Sequence, residues 1–333
     1  MPMLADYYFS EAPPQATSPV MSKMIDIGDL PRLRVFHGAD ERAFLFRPMA
    51  EERSRFLPDG CHTPMRMVSD AASAPEELKG SVMLLGNFDG FHRGHQQLLA
   101  EAKKQRDGVR PIGVMSVEPH PRQLFAPQSP AFRLSTPAGK KSLLSRHGLD
   151  FLYSPRFDHR FAAQEPEQFV DEILVGGFDV AHLVVGSGFR FGRQRRGDVK
   201  MLREIGDRRG FGVSAVDEVR WGDVTCSSTA VRNLLIAGDI DAANAMLGYR
   251  WSVELHQTVE GGGWANVEWP SDVLLPARGA YDVSVKGVNR SESSRRGSIS
   301  ICPAGQVRLS WEASEVAVSP NSWLVEFCAR VSR

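Results

Sequence analysis

Residues 82–104 read VMLLGNFDGFHRGHQQLLAEAKK, and the reading of this stretch decides the fold. The apolar run Val82–Leu85 has the composition of a buried strand, and residues 96–103 form helix. Between them lies the glycine-bearing turn GNFDGFHRGH, residues 86–95. A strand, a tight turn and a helix start carrying two histidines in the order HxGH make a phosphate site. The first amides of a helix attract an anion, and the imidazoles of His92 and His95 add donors at the same spot. Gly86, Gly90 and Gly94 let the chain turn tightly and let a ligand approach the backbone.

Outward from this stretch, strand and helix patterns alternate as far as Leu247. An apolar strand at 112–117 is followed by a helix over 137–147 and a strand at 151–153. Pro166 opens a helix with Phe169, Val170 and Ile173 on one face, before a buried strand at 182–185. Asp198 caps a helix bearing Val199, Leu202 and Ile205, a strand follows at 213–216, and short helices span 229–237 and 240–247. Alternation of this kind predicts an α/β fold, a Rossmann-like domain over 65–247 whose parallel sheet carries helices on both faces. Ligands are expected at the C-terminal edges of its strands. From 248 to 333 the pattern changes to short alternating segments at 281–285, 298–301, 307–311 and 323–327, which predict a small β-barrel.

Composition excludes several function classes. The 333 residues hold 40 basic and 40 acidic side chains, so no general charge draws the protein to nucleic acid or an anionic membrane. No apolar run approaches the length that crosses a bilayer, and the N-terminus lacks a basic patch followed by an apolar core. Cys61, Cys226, Cys302 and Cys328 have no metal-ligand spacing and read as reduced thiols of a cytoplasmic protein; no metal ligands are expected. Residues 1–64 carry proline clusters and no sustained apolar period, and are read as a largely irregular extension with short local structure around 33–46. The sequence leaves the oligomeric state open.

The decamer GNFDGFHRGH resembles the signature of nucleotidylyltransferases, in the form found in the adenylyltransferase half of the bacterial FAD synthetase family. The resemblance begins at about Met65, which makes Met65 or Met67 the expected biological start. It implies transfer of AMP from Mg-ATP to FMN, giving FAD and pyrophosphate, with His92 and His95 on the ATP phosphates. Gly86, Asn87, Phe88 and Gly94 are implied in the nucleotide pocket. CSSTAVR at 226–232 resembles the family's SSTxxR motif. By itself it reads as a serine-capped helix with a solvent arginine; beside the decamer, Ser227, Ser228 and Thr229 are expected on phosphate oxygens and Arg232 as a catalytic cation. VEPHPRQLF at 117–125 resembles the PHP loop near FMN, which implicates His120, Pro121 and Phe125. GSGFRFG at 186–192 resembles the GxDFRFG segment beside the flavin, with Phe189, Arg190 and Phe191 matching and Gly188 standing where Asp or Asn is usual.

In bifunctional members of this family the C-terminal half is a riboflavin kinase barrel, marked by a glycine-rich segment ending in PTAN. Here the nearest match is GGWANV at 262–267, where Ala265 and Asn266 persist but Gly263 and Trp264 replace Pro and Thr. The approach to this segment is shortened, and the late-strand catalytic Glu has no secure counterpart. The resemblance therefore implies a degenerate barrel without kinase activity. Two alternatives to FMN adenylylation stand: a catalytically weak flavin- or nucleotide-binding regulatory protein, and nucleotidyl transfer to another phosphate acceptor. The PHP and FRFG segments disfavour the second.

Overall fold

Val82–Leu85 is apolar at every position because it is the central strand of a parallel sheet covered on both faces. In the computed structural model, which describes residues 65–261, 263–288, 294–302, 305–311 and 322–331, this strand is fully buried. Residues 1–64 lie outside the described residues, and with them the expected irregular extension. The elements of the first half are, in order, β1 (Arg66–Val68), β2 (Val82–Leu85), α1 (Arg93–Lys104), β3 (Ile112–Met115), α2 (Pro121–Phe125), α3 (Pro137–Arg146) and β4 (Phe151–Tyr153). Then follow α4 (His159–Ala162), α5 (Pro166–Phe169), β5 (His182–Gly186), the hairpin strands β6 (Arg190–Phe191) and β7 (Gly197–Asp198), α6 (Val199–Arg209) and β8 (Gly212–Val216).

The sheet has six strands in the order β1-β4-β3-β2-β5-β8, all parallel. Alternation along β2 divides the core. Val82 and Leu84 pack with Leu98, Leu99 and Ala102 of α1 and Leu144 of α3. Met83 and Leu85 pack on the other face with Phe169, Leu202 and Ile205. The chain leaves β2 toward β3 on one side and returns to β5 on the other, so the turn after β2 emerges where the strand order reverses, the usual ligand position in such sheets. Asp198 caps α6 as expected, its carboxylate accepting the Met201 N–H at 2.9 Å. The sequence pattern does not reveal β1, three residues long and half exposed at the sheet edge, or α2.

A short hairpin, β9 (Arg220–Trp221) with β10 (Val224–Thr225), leads into α7 (Ser228–Ala237) and α8 (Ile240–Leu247). A closed antiparallel barrel follows: β11 (Ser252–Gly261), β12 (Trp264–Glu268), β13 (Gly279–Gly287), β14 (Arg295–Ile301), β15 (Val307–Trp311) and β16 (Ser322–Arg330). Its interior is continuous with the two helices. Leu235, Ile240, Met246 and Leu247 share one buried cluster with Trp251, Leu255, Val283 and Phe327. A strap at 133–135 is also held by the barrel side: Arg133 N–H donates to Asp272 O (3.0 Å), Leu274 N–H to Arg133 O (2.8 Å), and the Trp251 indole to Leu134 O (2.8 Å). Cys226, Cys302 and Cys328 are free thiols, and among the described residues no helix is long and apolar enough to cross a membrane.

Candidate active site

His92 is the N-cap of α1, yet its side chain makes no capping bond. Its ring instead stacks on that of His95, one helical turn on, with centroids 3.7 Å apart and planes at 25°. Among the described residues the buried His92 Nδ1 atom has no hydrogen-bond partner, so it is available to a ligand group. His95 Nδ1 lies 3.3 Å from Gly90 O, and a carbonyl only accepts, so the proton sits on Nδ1 and the neutral ring leaves Nε2 bare. Burial pushes His92 down to about 2 and His95 down to about 4, the former with help from His95 and Arg232 and the latter from Lys140. Both rings are therefore neutral near pH 7 before an anion arrives. A phosphate oxygen beside them favours the protonated form and makes them stronger donors.

The glycines of the decamer are required by two close approaches. Gly90 has φ +64°, and a Cβ there would meet the Leu134 side chain at 2.5 Å. A Cβ on Gly94 would lie 3.0 Å from the His92 ring and 3.3 Å from Cys226 O, so Gly94 lets α1 and the start of α7 come together. Gly86 stands over the edge of the Phe88 ring. That ring is fully buried and lies 4.8 Å from His95, so Phe88 supports the histidine from below and offers a ligand only its backbone. Asn87 is exposed beside it.

Asp89, 1% exposed, ties two segments, the strap at 133–135 and α7, to this turn. Its carboxylate accepts the Leu134 N–H (2.9 and 3.1 Å) and pairs with Arg232 Nη2 at 2.7 Å, while its carbonyl accepts the Ser228 hydroxyl at 2.7 Å. Ser227 caps α7 by accepting the Ala230 N–H, and Thr229 is exposed on the first turn. The helix starts of α1 and α7 thus sit against one another. Arg232, expected as a phosphate cation, also donates to Phe132 O (2.7 Å) and lies over the Phe132 ring. Part of its donor set is committed to holding the Asp89 carboxylate.

The structure gives the PHP loop a definite form. His120 caps α2, accepting the Arg122 N–H on Nδ1 at 3.1 Å, with Pro121 in the first turn. Burial pushes His120 down to about 4, and its ring packs edge-on against Phe132. Phe125, at the end of α2, packs edge-on near Phe157. In the second flavin-side segment Phe191 is buried against Phe169 and Phe189 stacks on Phe191, while Arg190 pairs with Asp198 at 3.3 Å. Those two rings belong largely to the core under β6. Gly188 is exposed, with open space where a Cβ would project.

Sequence motifs miss a buried charge cluster under the turn. Glu118 takes a bidentate pair from Arg133 (2.7 and 2.8 Å) and a bond from Lys140 Nζ (2.9 Å). Burial works to raise the Glu118 carboxyl, but the Arg133 hydrogen bonds and the charge of Lys140 bring it below its ordinary value. One signal was available: Lys140 stands four residues before Leu144 on the inward face of α3, where a solvated lysine does not belong. A cavity of about 420 Å³ between α3 and the barrel is lined by Ser135, Arg146, Trp251, Glu254 and Lys286 among others, and by none of the expected site residues.

A sequence-family model described as FAD synthetase matches residues 74–230. The chain is 36% identical over 233 residues to the bifunctional riboflavin kinase/FMN adenylyltransferase of Escherichia coli (strain K12), covering 67% of this chain and 73% of that protein. It is 31% identical over 224 residues to the FAD synthetase of Listeria monocytogenes, covering 67% of this chain and 89% of the relative. In fold it is similar to a crystal structure described as a macrolide-efflux protein from Streptococcus pneumoniae, with TM-score 0.70 over 80% of this chain and 90% of the other. At 23% identity that likeness is one of fold alone.

Proposed function

The chain belongs to the FAD synthetase family and is a nucleotidyltransferase of FAD biosynthesis, and we propose that His92, His95 and Arg232 serve the transfer of AMP from ATP to the phosphate of FMN. The observation that carries this reading is the stacked His92–His95 pair, with an unpartnered buried Nδ1, at a helix start that abuts the start of α7. A phosphate monoester is already ionised near pH 7, so its oxygen attacks the α-phosphorus without a general base and pyrophosphate leaves. The chain's task is to align the two phosphates and to compensate the charge that grows around the α-phosphate. The amides opening α1 and α7 and the two imidazoles are suited to that, with Arg232 and Asp89 fixing one helix against the other. Mg²⁺ is proposed to enter on the ATP phosphates. His120, Pro121 and Phe125 are proposed on the flavin side with Gly188 and Arg190, in a cytoplasmic enzyme.

Incubating the protein with FMN, ATP and Mg²⁺ and resolving the products by chromatography tests the reading; FAD and pyrophosphate should appear together. A folded protein that binds ATP and FMN but makes no FAD would favour the regulatory binding alternative.

We propose also that the barrel has lost riboflavin phosphorylation. β11 and β12 pair down to Gly261 and Trp264, so only two residues separate the strands where a phosphate-binding loop would be needed. The Trp264 ring lies 4.2 Å from the Arg308 guanidinium and offers no oxygen to a metal, and Asn266 faces outward on β12. FMN formed from riboflavin and ATP at a rate comparable to FAD synthesis would overturn this.

A further inference from the structure

Lys140 is 2% exposed, and an ammonium so buried is stable only when its donors are matched. Its Nζ donates to three acceptors on two segments: Asn87 O in the turn after β2 (3.0 Å), and Ser116 Oγ (2.9 Å) and Glu118 Oε1 (2.9 Å) in the stretch between β3 and α2. An ammonium has three N–H groups, so all are used. The Ser116 hydroxyl donates to the same Asn87 carbonyl at 2.8 Å. Neutralising Glu118 does not by itself require the lysine, because Arg133 already engages both carboxylate oxygens.

What the lysine holds is a strained turn. Phe88 has φ 47°, in the left-handed region that a bulky side chain enters only when its surroundings enforce it. In a planar trans peptide the C=O and N–H point in opposite directions. Fixing the Asn87 carbonyl inward therefore fixes the Phe88 amide away from Lys140 and sets the course of the chain into Asp89, Gly90 and His92.

We infer that Lys140 is a positioning residue for adenylyl transfer, clamping the Asn87 carbonyl so that the 86–90 turn and the histidine pair keep the geometry the phosphates require. This rests on the proposed adenylyltransferase reading; FAD formation by the unaltered protein under the same conditions separates a failure of that reading from a failure of this one.

Lys140→Met removes the three donors and keeps most of the volume. It should lower kcat on the order of a hundredfold, with KM for ATP and FMN changed by less than about threefold, because the loss falls on alignment rather than on binding. The double variant Glu118→Gln with Lys140→Met distinguishes positioning from charge balance. If the lysine only neutralised Glu118, the double variant would recover; clamping of Asn87 predicts that kcat stays within about threefold of the single variant. Should Lys140→Met fail to fold by circular dichroism, Ser116→Ala removes one of the two bonds to Asn87 O with little change in volume. That variant should keep its melting temperature within a few degrees and lose several-fold in kcat. Recovery in the double variant, or unchanged kcat in Ser116→Ala, overturns the inference.

Discussion

His95 illustrates how burial and a single backbone contact set the state of a side chain. Its Nδ1 proton faces Gly90 O, and its ring is held between His92 and Phe88. Replacement by Ala should cost on the order of a hundredfold in kcat, roughly 3 kcal/mol of transition-state stabilisation; a folded variant with near-normal turnover would remove His95 from the site. The histidines also couple stability to pH. His95 and His120 sit at about 4 in the folded protein against 6.5 when unperturbed, so the unfolded chain binds more protons between those values. Their contribution is fully present above 6.5 and falls as pH drops through the window, by up to about 1.4 kcal/mol per group per pH unit. The melting temperature should therefore drop between pH 7.5 and 5, and His95→Gln should flatten the slope. At Gly188 the open space admits a carboxylate without a clash. Gly188→Asp is expected to tighten FMN about fivefold, the scale of one added hydrogen bond, and to leave an ATP analogue unaffected; titrating each ligand decides it.

At the scale of elements, the site depends on two helix starts being locked together. Gly94 permits the approach, and the Ser228 hydroxyl bonded to Asp89 O fastens it. Ser228→Ala leaves that part-buried carbonyl short of a partner and should cost about 1 kcal/mol, a loss of a few degrees in melting temperature by calorimetry. The strap at 133–135 performs the matching task on the other flank. Leu134 gives its N–H to Asp89 and its carbonyl to Trp251, so one peptide stretch joins the turn to the barrel side.

For the whole molecule, this joining makes the barrel more than an appendage. α7, which Ser227 caps and which carries Ser228 and Arg232, buries Val231 and Leu235 in the same cluster as Leu255, Val283 and Phe327 of the barrel. A fragment spanning 65–250 would expose that surface to water, and each large side chain left exposed costs about 1.5–3 kcal/mol of burial. We expect the fragment to bind a hydrophobic dye and to lose its cooperative melt. A melt close to that of the full chain would show that the first domain folds independently.

The alternation of apolar strands and capped helices was legible in the chain itself, because a doubly covered sheet demands continuous apolar runs and most of the helix starts carry a capping side chain. β2, β4, α8 and β15 fall where their patterns predict. The turn proposed to hold phosphate was legible as a local unit for the same reason: its glycines, histidines and helix start are adjacent in sequence, so their geometry is local. Tertiary structure alone decided what joins distant segments. Asp89 meets Leu134 and Arg232, Lys140 meets Asn87 and Glu118, and α7 shares the barrel's core. Charged side chains such as these are ordinarily solvated; the inward-face spacing of Lys140 hints at burial, but no local pattern says which groups a buried charge will meet. That depends on which acceptors the fold brings within about 3 Å, a property of the packed chain rather than of any stretch of its sequence.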